Sequence, residues 1–203
     1  MQNITFDKQQ MTPSKVVCIG RNYVAHIEEL NNEMPENMVI FNKPNSAISA
    51  ELKYFTPECR FEGELCLLMM DGQIAGLGLG LDLTYANIQN IQKAKGLPWE
   101  RAKAFDGSAV LSDFIPFDGN IEEIHFQLSR NGVLTQEADY ALMIYKTQEM
   151  IEEISSFMTF EDGDIIMTGT PKGVGTYQRG DLFEMKLYER DNLLLETSWK
   201  VQP

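Results

Sequence analysis

The 203-residue chain is short of cysteine, histidine and positive charge. Its three cysteines, Cys18, Cys59 and Cys66, are an odd number, and Cys18 and Cys66 fall inside apolar strand-like runs. Buried free thiols in a reducing compartment are therefore expected, not a disulfide framework. Lysine and arginine total 17 against 30 acidic residues, a net charge of -13. Such a surface argues against nucleic acid or an anionic membrane as partner. It leaves a small anionic substrate open, because a local cation can reverse the field inside one pocket. No apolar run is long enough to span a bilayer, and residues 1–10 are polar with no apolar signal core. The expectation is a cytoplasmic protein. Two phosphate-cradling loops are also missing. The glycines of residues 77–83 have the wrong spacing for a dinucleotide fingerprint, and residues 168–175 lack the GKS/T ending of a P-loop.

What remains is an ordinary globular composition, 43% hydrophobic and 23% charged, in a chain long enough for one good core. There is no internal repeat, low-complexity tract or linker. Residues 14–203 read as a single domain and residues 1–13 as an N-terminal extension. The pattern centres on residues 61–70, where Glu62 and Glu64 open an apolar strand-like run. Residues two apart on a strand share a face. Two carboxylates that close repel each other, which a solvated edge tolerates and a bound cation relieves. Asp82 ends a second apolar run, of alternating Gly and Leu, and is a third carboxylate candidate. The alternation predicts close backbone approach on one face.

Residues 15–20 read as a buried strand, and residues 24–30 as a short helix with Asn22 as candidate N-cap. His26 and Glu29 share one face of that helix, an arrangement suited to general acid/base chemistry near neutral pH. His125 borders a strand and is given no role. Residues 31–37 form a loop or lid candidate. Residues 39–44 are strand-like and place Lys43 toward either a substrate carboxylate or water. Ile88, Ile91 and Lys95 have helical spacing, and the apolar positions from Met143 to Met158 give the clearest amphipathic helix. Asp71-Gly72 and Asn131-Gly132 signal hairpins. The glycine-rich loop 168–175 offers amides and hydroxyls to an oxyanion. Many short strands, a few helices and few strand–helix–strand alternations predict a β-rich α+β fold.

Taken together, Arg21-Asn22-Tyr23 with His26 and Glu29, then Glu62-x-Glu64, Asp82-x-Thr84, Gly96-Leu97-Pro98-Trp99 with Lys103, and Thr168-Gly169-Thr170-Pro171-Lys172-Gly173-Val174-Gly175 resemble the fumarylacetoacetate hydrolase family. The match is best to its small single-domain branch of acylpyruvases and oxaloacetate decarboxylases, from about Ser14 to the end. The resemblance implies a β-roll or sandwich with a few flanking helices, a homodimer, and a divalent metal, Mg²⁺ or Mn²⁺. It assigns Glu62, Glu64 and Asp82 to the metal, and His26 and Glu29 to an acid/base dyad on a lid helix. Lys103 falls near metal and substrate, Gln89 and Thr170 at substrate-contacting positions, and Arg21 and Lys43 in matching motifs.

The implied activity is hydrolysis of a C–C bond in small 2,4-dioxo acids of the acylpyruvate or fumarylpyruvate type, through a metal-stabilised enolate. His26, aided by Glu29, would activate the water. Oxaloacetate decarboxylation and keto–enol isomerisation pass through the same enolate and are the alternatives. A non-catalytic metal- or dicarboxylate-binding protein is the alternative of another class. Three positions depart from the family pattern. Ala86 stands where an arginine is common, and a charge-assisted contact of that kind is worth about 1.5–3 kcal/mol. Arg60-Phe61 replace histidines, and Arg60 is a candidate to supply the missing charge. Gly63 replaces a bulkier residue and is expected to loosen the strand between the ligands.

Overall fold

A computed structural model describes residues 1–29 and 37–202, with the side chains of residues 26–28 outside the description. In chain order, β1 (Ile4–Phe6) and β2 (Gln9–Met11) form a hairpin. There follow β3 (Lys15–Gly20), α1 (Val24–Glu29), β4 (Val39–Pro44), β5 (Ile48–Ser49) and β6 (Cys59–Phe61). The long antiparallel pair β7 (Gly63–Met70) and β8 (Gln73–Asp82) leads into β9 (Thr84–Tyr85), α2 (Ala86–Ala94) and α3 (Glu100–Lys103). Next come β10 (Ala109–Leu111), β11 (Ile115–Pro116), β12 (Ile124–Arg130), β13 (Val133–Asp139) and α4 (Thr147–Ser155). The chain ends with β14 (Ile165–Met167), β15 (Gly175–Thr176), β16 (Leu182–Glu189) and β17 (Asn192–Lys200).

The main sheet runs β4-β3-β14-β7-β8-β10-β5, with β11 also on β8; a second sheet runs β13-β12-β16-β17, and a small third sheet runs β15-β6-β9. This is a β-rich sandwich with few helices. Strands β7 and β8 are covered on both faces, which is why their sequence is almost unbroken in apolar residues. Leu65, Leu67, Leu77, Leu79 and Leu81 face the second sheet, where Phe126, Leu128, Phe183 and Met185 meet them. Cys66 and Leu68 face the other way, into a smaller cluster with Cys18, Met167, Leu111 and Phe114. The Gly-Leu alternation has its explanation here. At Gly78 a Cβ would lie 2.7 Å from the Phe114 ring, so only glycine lets that ring lie flat on the strand. The three cysteines are free and buried, and burial pushes each thiol above its usual range.

Both hairpin signals hold. Asp71 and Gly72 have φ of 49° and 70°, and Asn131 and Gly132 have 52° and 76°. Two successive positive φ values match the right-handed twist of the flanking strands. Residues 1–13 contribute β1 and β2, and Ile4 is buried in the smaller cluster.

Three local expectations are corrected. Asn22 does not cap α1: its carboxamide donates to the carbonyls of Tyr145 and Thr168 and accepts from the Tyr145 N–H, tying three loops together. The amphipathic stretch from Met143 becomes helical only at Thr147, because Met143 pairs with Tyr23 and the Lys146 N–H is taken by the Glu149 carboxylate. On α2, Ile88 and Ile91 mark a helix but not its buried side; they are 39% and 55% exposed. Residues 31–36 of the lid candidate 31–37, and residue 30 at the end of the expected helix, lie outside the described residues.

Candidate metal and substrate site

The register that pairs Gly63 with Leu81 and Glu64 with Gly80 carries on to set Glu62 opposite Asp82, whose N–H donates to the Glu62 carbonyl at 2.8 Å. The pairing places three carboxylates at one end of the central pair. One oxygen from each of Glu62, Glu64 and Asp82 lies within 4.8 Å of the others. Glu64 and Asp82 are almost fully buried, at 2% and 1% exposure. Burial raises the Glu64 pKa well above the usual carboxylate range, and the Asp82 and Glu62 charges raise it further. An all-oxygen set of three carboxylates fits a hard divalent cation, which would relieve that repulsion.

Two lysines already compensate part of the charge. Lys103, at the end of α3, lies 2.6 Å from Asp82 Oδ2, 2.9 Å from Glu62 Oε2 and 2.6 Å from Thr84 Oγ1. Burial alone would depress its ammonium, but Asp82 and Glu62 outweigh burial and hold its pKa well above the ordinary lysine value. Lys103 is therefore a fixed cation and not a base. Lys43 is wholly buried behind the site, 2.7 Å from Asp82 Oδ1 and bonded to the Lys103 carbonyl. It faces neither water nor the pocket, so it fixes Asp82 and the end of α3 instead of meeting substrate directly.

The glycine-rich loop uses its amides on the protein itself. Gly169, with φ of 99°, donates its N–H to Glu64 Oε2 at 2.7 Å, and Gly173 donates to the Glu29 carboxylate at 2.9 Å. Those two amides hold the Glu64 carboxylate and the end of α1, not a free oxyanion. Thr170 lines the pocket, while its hydroxyl donates to the Gly63 carbonyl and accepts from Gln136. Gln136 is a site residue that sequence reasoning missed. A bulge near Thr135 turns it inward. There it accepts from Gly63 N–H at 2.9 Å and donates to Thr170 Oγ1 and the Pro171 carbonyl. Gly63 is thus pinned, not loosened. A Cβ there would lie 2.6 Å from Leu128 and 2.9 Å from Gln136, and glycine is what allows the second sheet to pack against the ligand turn.

Arg21 and Gln89 line the same pocket as the triad, together with Ile19, Phe41 and Trp99. Arg21 has a φ of 58°, a left-handed conformation costly for a non-glycine residue and concentrated at functional sites. Lys93, one turn beyond Gln89, also lines the pocket and was not singled out from the sequence. The only signal for it was the four-residue spacing from Gln89. Arg60 sits on β6, near enough to Lys93 to lower its pKa. His26 belongs to α1, and its side chain lies outside the described residues. The structure thus brings Arg21, Glu62, Glu64, Asp82, Gln89, Lys103 and Thr170 to one pocket, puts Lys43 behind it, and anchors Glu29 to the loop that carries Thr170.

The model of the fumarylacetoacetate (FAA) hydrolase C-terminal region matches residues 15–196. The chain belongs to the fumarylacetoacetate hydrolase family. It is 40% identical to the oxaloacetate tautomerase YcgM of Escherichia coli, over 83% of this chain and 85% of that one. It is 34% identical to a mitochondrial oxaloacetate decarboxylase of Dictyostelium discoideum, over 85% and 88%. Among solved structures, the fumarylpyruvate hydrolase of Pseudomonas aeruginosa, in complex with Mn²⁺ and pyruvate, superposes with a TM-score of 0.89 at 28% identity, over 99% of this chain and 95% of that one. The chain is therefore a member of an enzyme family, with the family's fold. No helix among the described residues is long and apolar enough to cross a membrane.

Proposed function

We propose that this protein catalyses keto–enol tautomerisation of oxaloacetate at a divalent-metal site formed by Glu62, Glu64 and Asp82. The observation that carries the reading is the carboxylate triad, with Glu64 and Asp82 buried and Lys103 held in it, in a chain 40% identical to an oxaloacetate tautomerase. A bound Mg²⁺ or Mn²⁺ would supply Lewis-acid stabilisation of enolate charge. The protein's own share is electrostatic and positional. Lys103 stays an ammonium and lowers the cost of negative charge on the substrate oxygen. Arg21, Gln89 and Thr170 orient the substrate. His26 and Glu29 move the proton between carbon and oxygen, with Glu29 steadied by the Gly173 amide. We propose further that the protein acts as a cytoplasmic homodimer on a small 2-oxo acid and not on nucleic acid or membrane. The family resemblance supports the dimer, and the net charge of -13 supports the exclusions.

A second reading, hydrolysis of acylpyruvates, is favoured by the likeness to the fumarylpyruvate hydrolase structure. It uses the same enolate but needs a water activated by His26. Chelator-stripped protein, incubated with oxaloacetate and separately with acetylpyruvate, with and without Mg²⁺ or Mn²⁺, separates the readings. Protein-free metal is the blank, and Glu64→Ala and His26→Ala are the controls. Metal-dependent decay of the enol absorbance above the blank, lost in both variants, is expected. Pyruvate release alongside it indicates decarboxylation. Acetylpyruvate loss with no effect on oxaloacetate would replace the first reading by the second.

A further inference from the structure

Lys43 and Lys103 are both paired with carboxylates of the triad. Lys43 lies 2.7 Å from Asp82, and Lys103 lies against both Asp82 and Glu62. A proton given up by either would leave a carboxylate without its counter-charge. Lys93 differs. Helix α2 turns Ile88 and Ile91 outward, which directs Gln89 and Lys93, four residues apart and so on one face, toward the pocket. Lys93 is half-buried, and among the described residues no carboxylate forms an ion pair with it. Rings hold it instead. Its ammonium sits 5.3 Å from the Trp99 centroid, that ring packs on Phe41 at 5.8 Å, and the Lys103 ammonium lies 5.1 Å from the Phe41 centroid. Both rings line the pocket. Two ammonium groups thus bracket one aromatic wall, one tied to the triad and the other not.

Arg21 after β3, Arg60 on β6 and Lys103 on α3 act on Lys93 as like charges, and Glu62 before β7 as an opposite one. Burial first, and then the Arg21 charge, lower the Lys93 pKa to about 8. Such an ammonium carries its proton at neutral pH and can part with it, which is what a general acid must do.

Enolisation needs one proton removed from carbon and one delivered to the 2-oxo oxygen. We propose that Lys93 is the general acid at the oxygen end, its ammonium handing one proton to that oxygen as His26 takes one from the neighbouring carbon. The step leaves an enol, a neutral Lys93 amine and a protonated His26, and exchange with water resets both groups. In the reverse direction the Lys93 amine takes the enol O–H proton. Lys103 keeps its proton and acts by charge alone. The inference rests on the functional reading above and deepens it.

The test follows deuterium wash-in from heavy water at the carbon beside the 2-oxo group of oxaloacetate, by proton NMR. It uses the Mg²⁺-loaded full chain and its Lys93→Arg and Lys93→Gln variants, with protein-free Mg²⁺ as the blank. The donor is the ammonium, so wild-type kcat is expected to fall as pH rises through about 8. Lys93→Arg keeps the charge but cannot release the proton. It is expected to leave KM nearly unchanged, to lower kcat by about 100-fold or more, and to lose the alkaline fall. Lys93→Gln is expected to lose kcat and the alkaline fall alike. In the metal-free chain, acetic anhydride labelling of Lys93, read by mass spectrometry, is expected to show half-ionisation at about pH 8. Wild-type kcat in Lys93→Arg, an alkaline fall that survives in either variant, a loss confined to KM, or an ordinary lysine value on labelling would each overturn the proposal alone. Wild type with no exchange above the blank would overturn it together with the functional reading.

Discussion

At the scale of single residues, the site places like charges side by side and leaves their full relief to a ligand. Glu64 is the clearest case: it is buried, it faces Asp82 and Glu62, and its strongest neutral contact is one amide N–H. A side chain retained at a cost to folding is the usual mark of a functional position. In the metal-free protein Glu64→Gln is expected to raise the melting temperature by about 2–4 °C, equivalent to about 1 kcal/mol in a chain of this size. The same substitution is expected to abolish the stabilisation that Mn²⁺ gives the parent protein. Thermal melts of both proteins with chelator and with Mn²⁺ check this. A Glu64→Gln variant that still gains as much from Mn²⁺ would remove Glu64 from the ligand set. Lys43 and Asp82 represent the opposite arrangement. There a buried cation and anion lie 2.7 Å apart, and the pair supports the fold around the metal side of the pocket.

At the scale of elements, much of the fold was legible in the sequence because the deciding signals are local. Strands β3 and β4 start and stop where the apolar runs start and stop, and the Asp-Gly and Asn-Gly hairpins depend on two residues each. The triad was legible too, since Glu62 and Glu64 share a strand direction and Asp82 ends the next apolar run. What escaped depends on contacts across long stretches of chain. Nothing near Gln136 reveals that its carboxamide reaches Gly63, 73 residues away. Nothing near Lys43 reveals the Asp82 carboxylate that buries it. The orientation of α2, and with it Lys93, follows from what the helix packs on and not from its own periodicity.

Gln136 joins β13, the ligand turn and the glycine-rich loop, and its removal is an element-scale test. Gln136→Leu leaves buried polar groups of Gly63, Thr170 and Pro171 without this partner, at about 1–3 kcal/mol for an unpaired group. Because outer partners orient metal ligands, Mn²⁺ affinity is expected to fall by about 10–100-fold. A titration of the folded variant measures it, and unchanged affinity would mean that the ligand turn is held without Gln136.

At the scale of the whole molecule, the second sheet packs against one long antiparallel pair at the centre of the main sheet, and the site sits where that pair ends. A separate buried acid helps to close the main sheet. Asp164, before β14, accepts from Ser14, from the Glu161 N–H, and from both the N–H and the ammonium of Lys15 at the start of β3. Burial alone would raise its pKa, but the Lys15 ammonium and these donors outweigh burial and hold it below the usual aspartate value. A carboxylate whose folded pKa is depressed adds stability above its unfolded pKa, near 4, and loses it as pH falls through the folded value. Asp164→Asn is expected to cost about 2–3 kcal/mol at neutral pH. The gap between its melting temperature and that of the parent should begin to close only as pH falls below about 4, and go on closing as pH falls through the depressed folded value. Melts recorded from pH 7 down to pH 2.5 check both points, and a difference constant across that range would assign the effect to packing alone.

The central claim is that Glu62, Glu64 and Asp82 hold one divalent cation. Anomalous diffraction at the manganese edge, from crystals of the chelator-stripped protein soaked in Mn²⁺, tests it most directly. One strong peak is expected in contact with a carboxylate oxygen of each of the three residues, absent from Glu64→Gln crystals soaked in the same way. No peak at the triad, or the same peak in the variant, would contradict it.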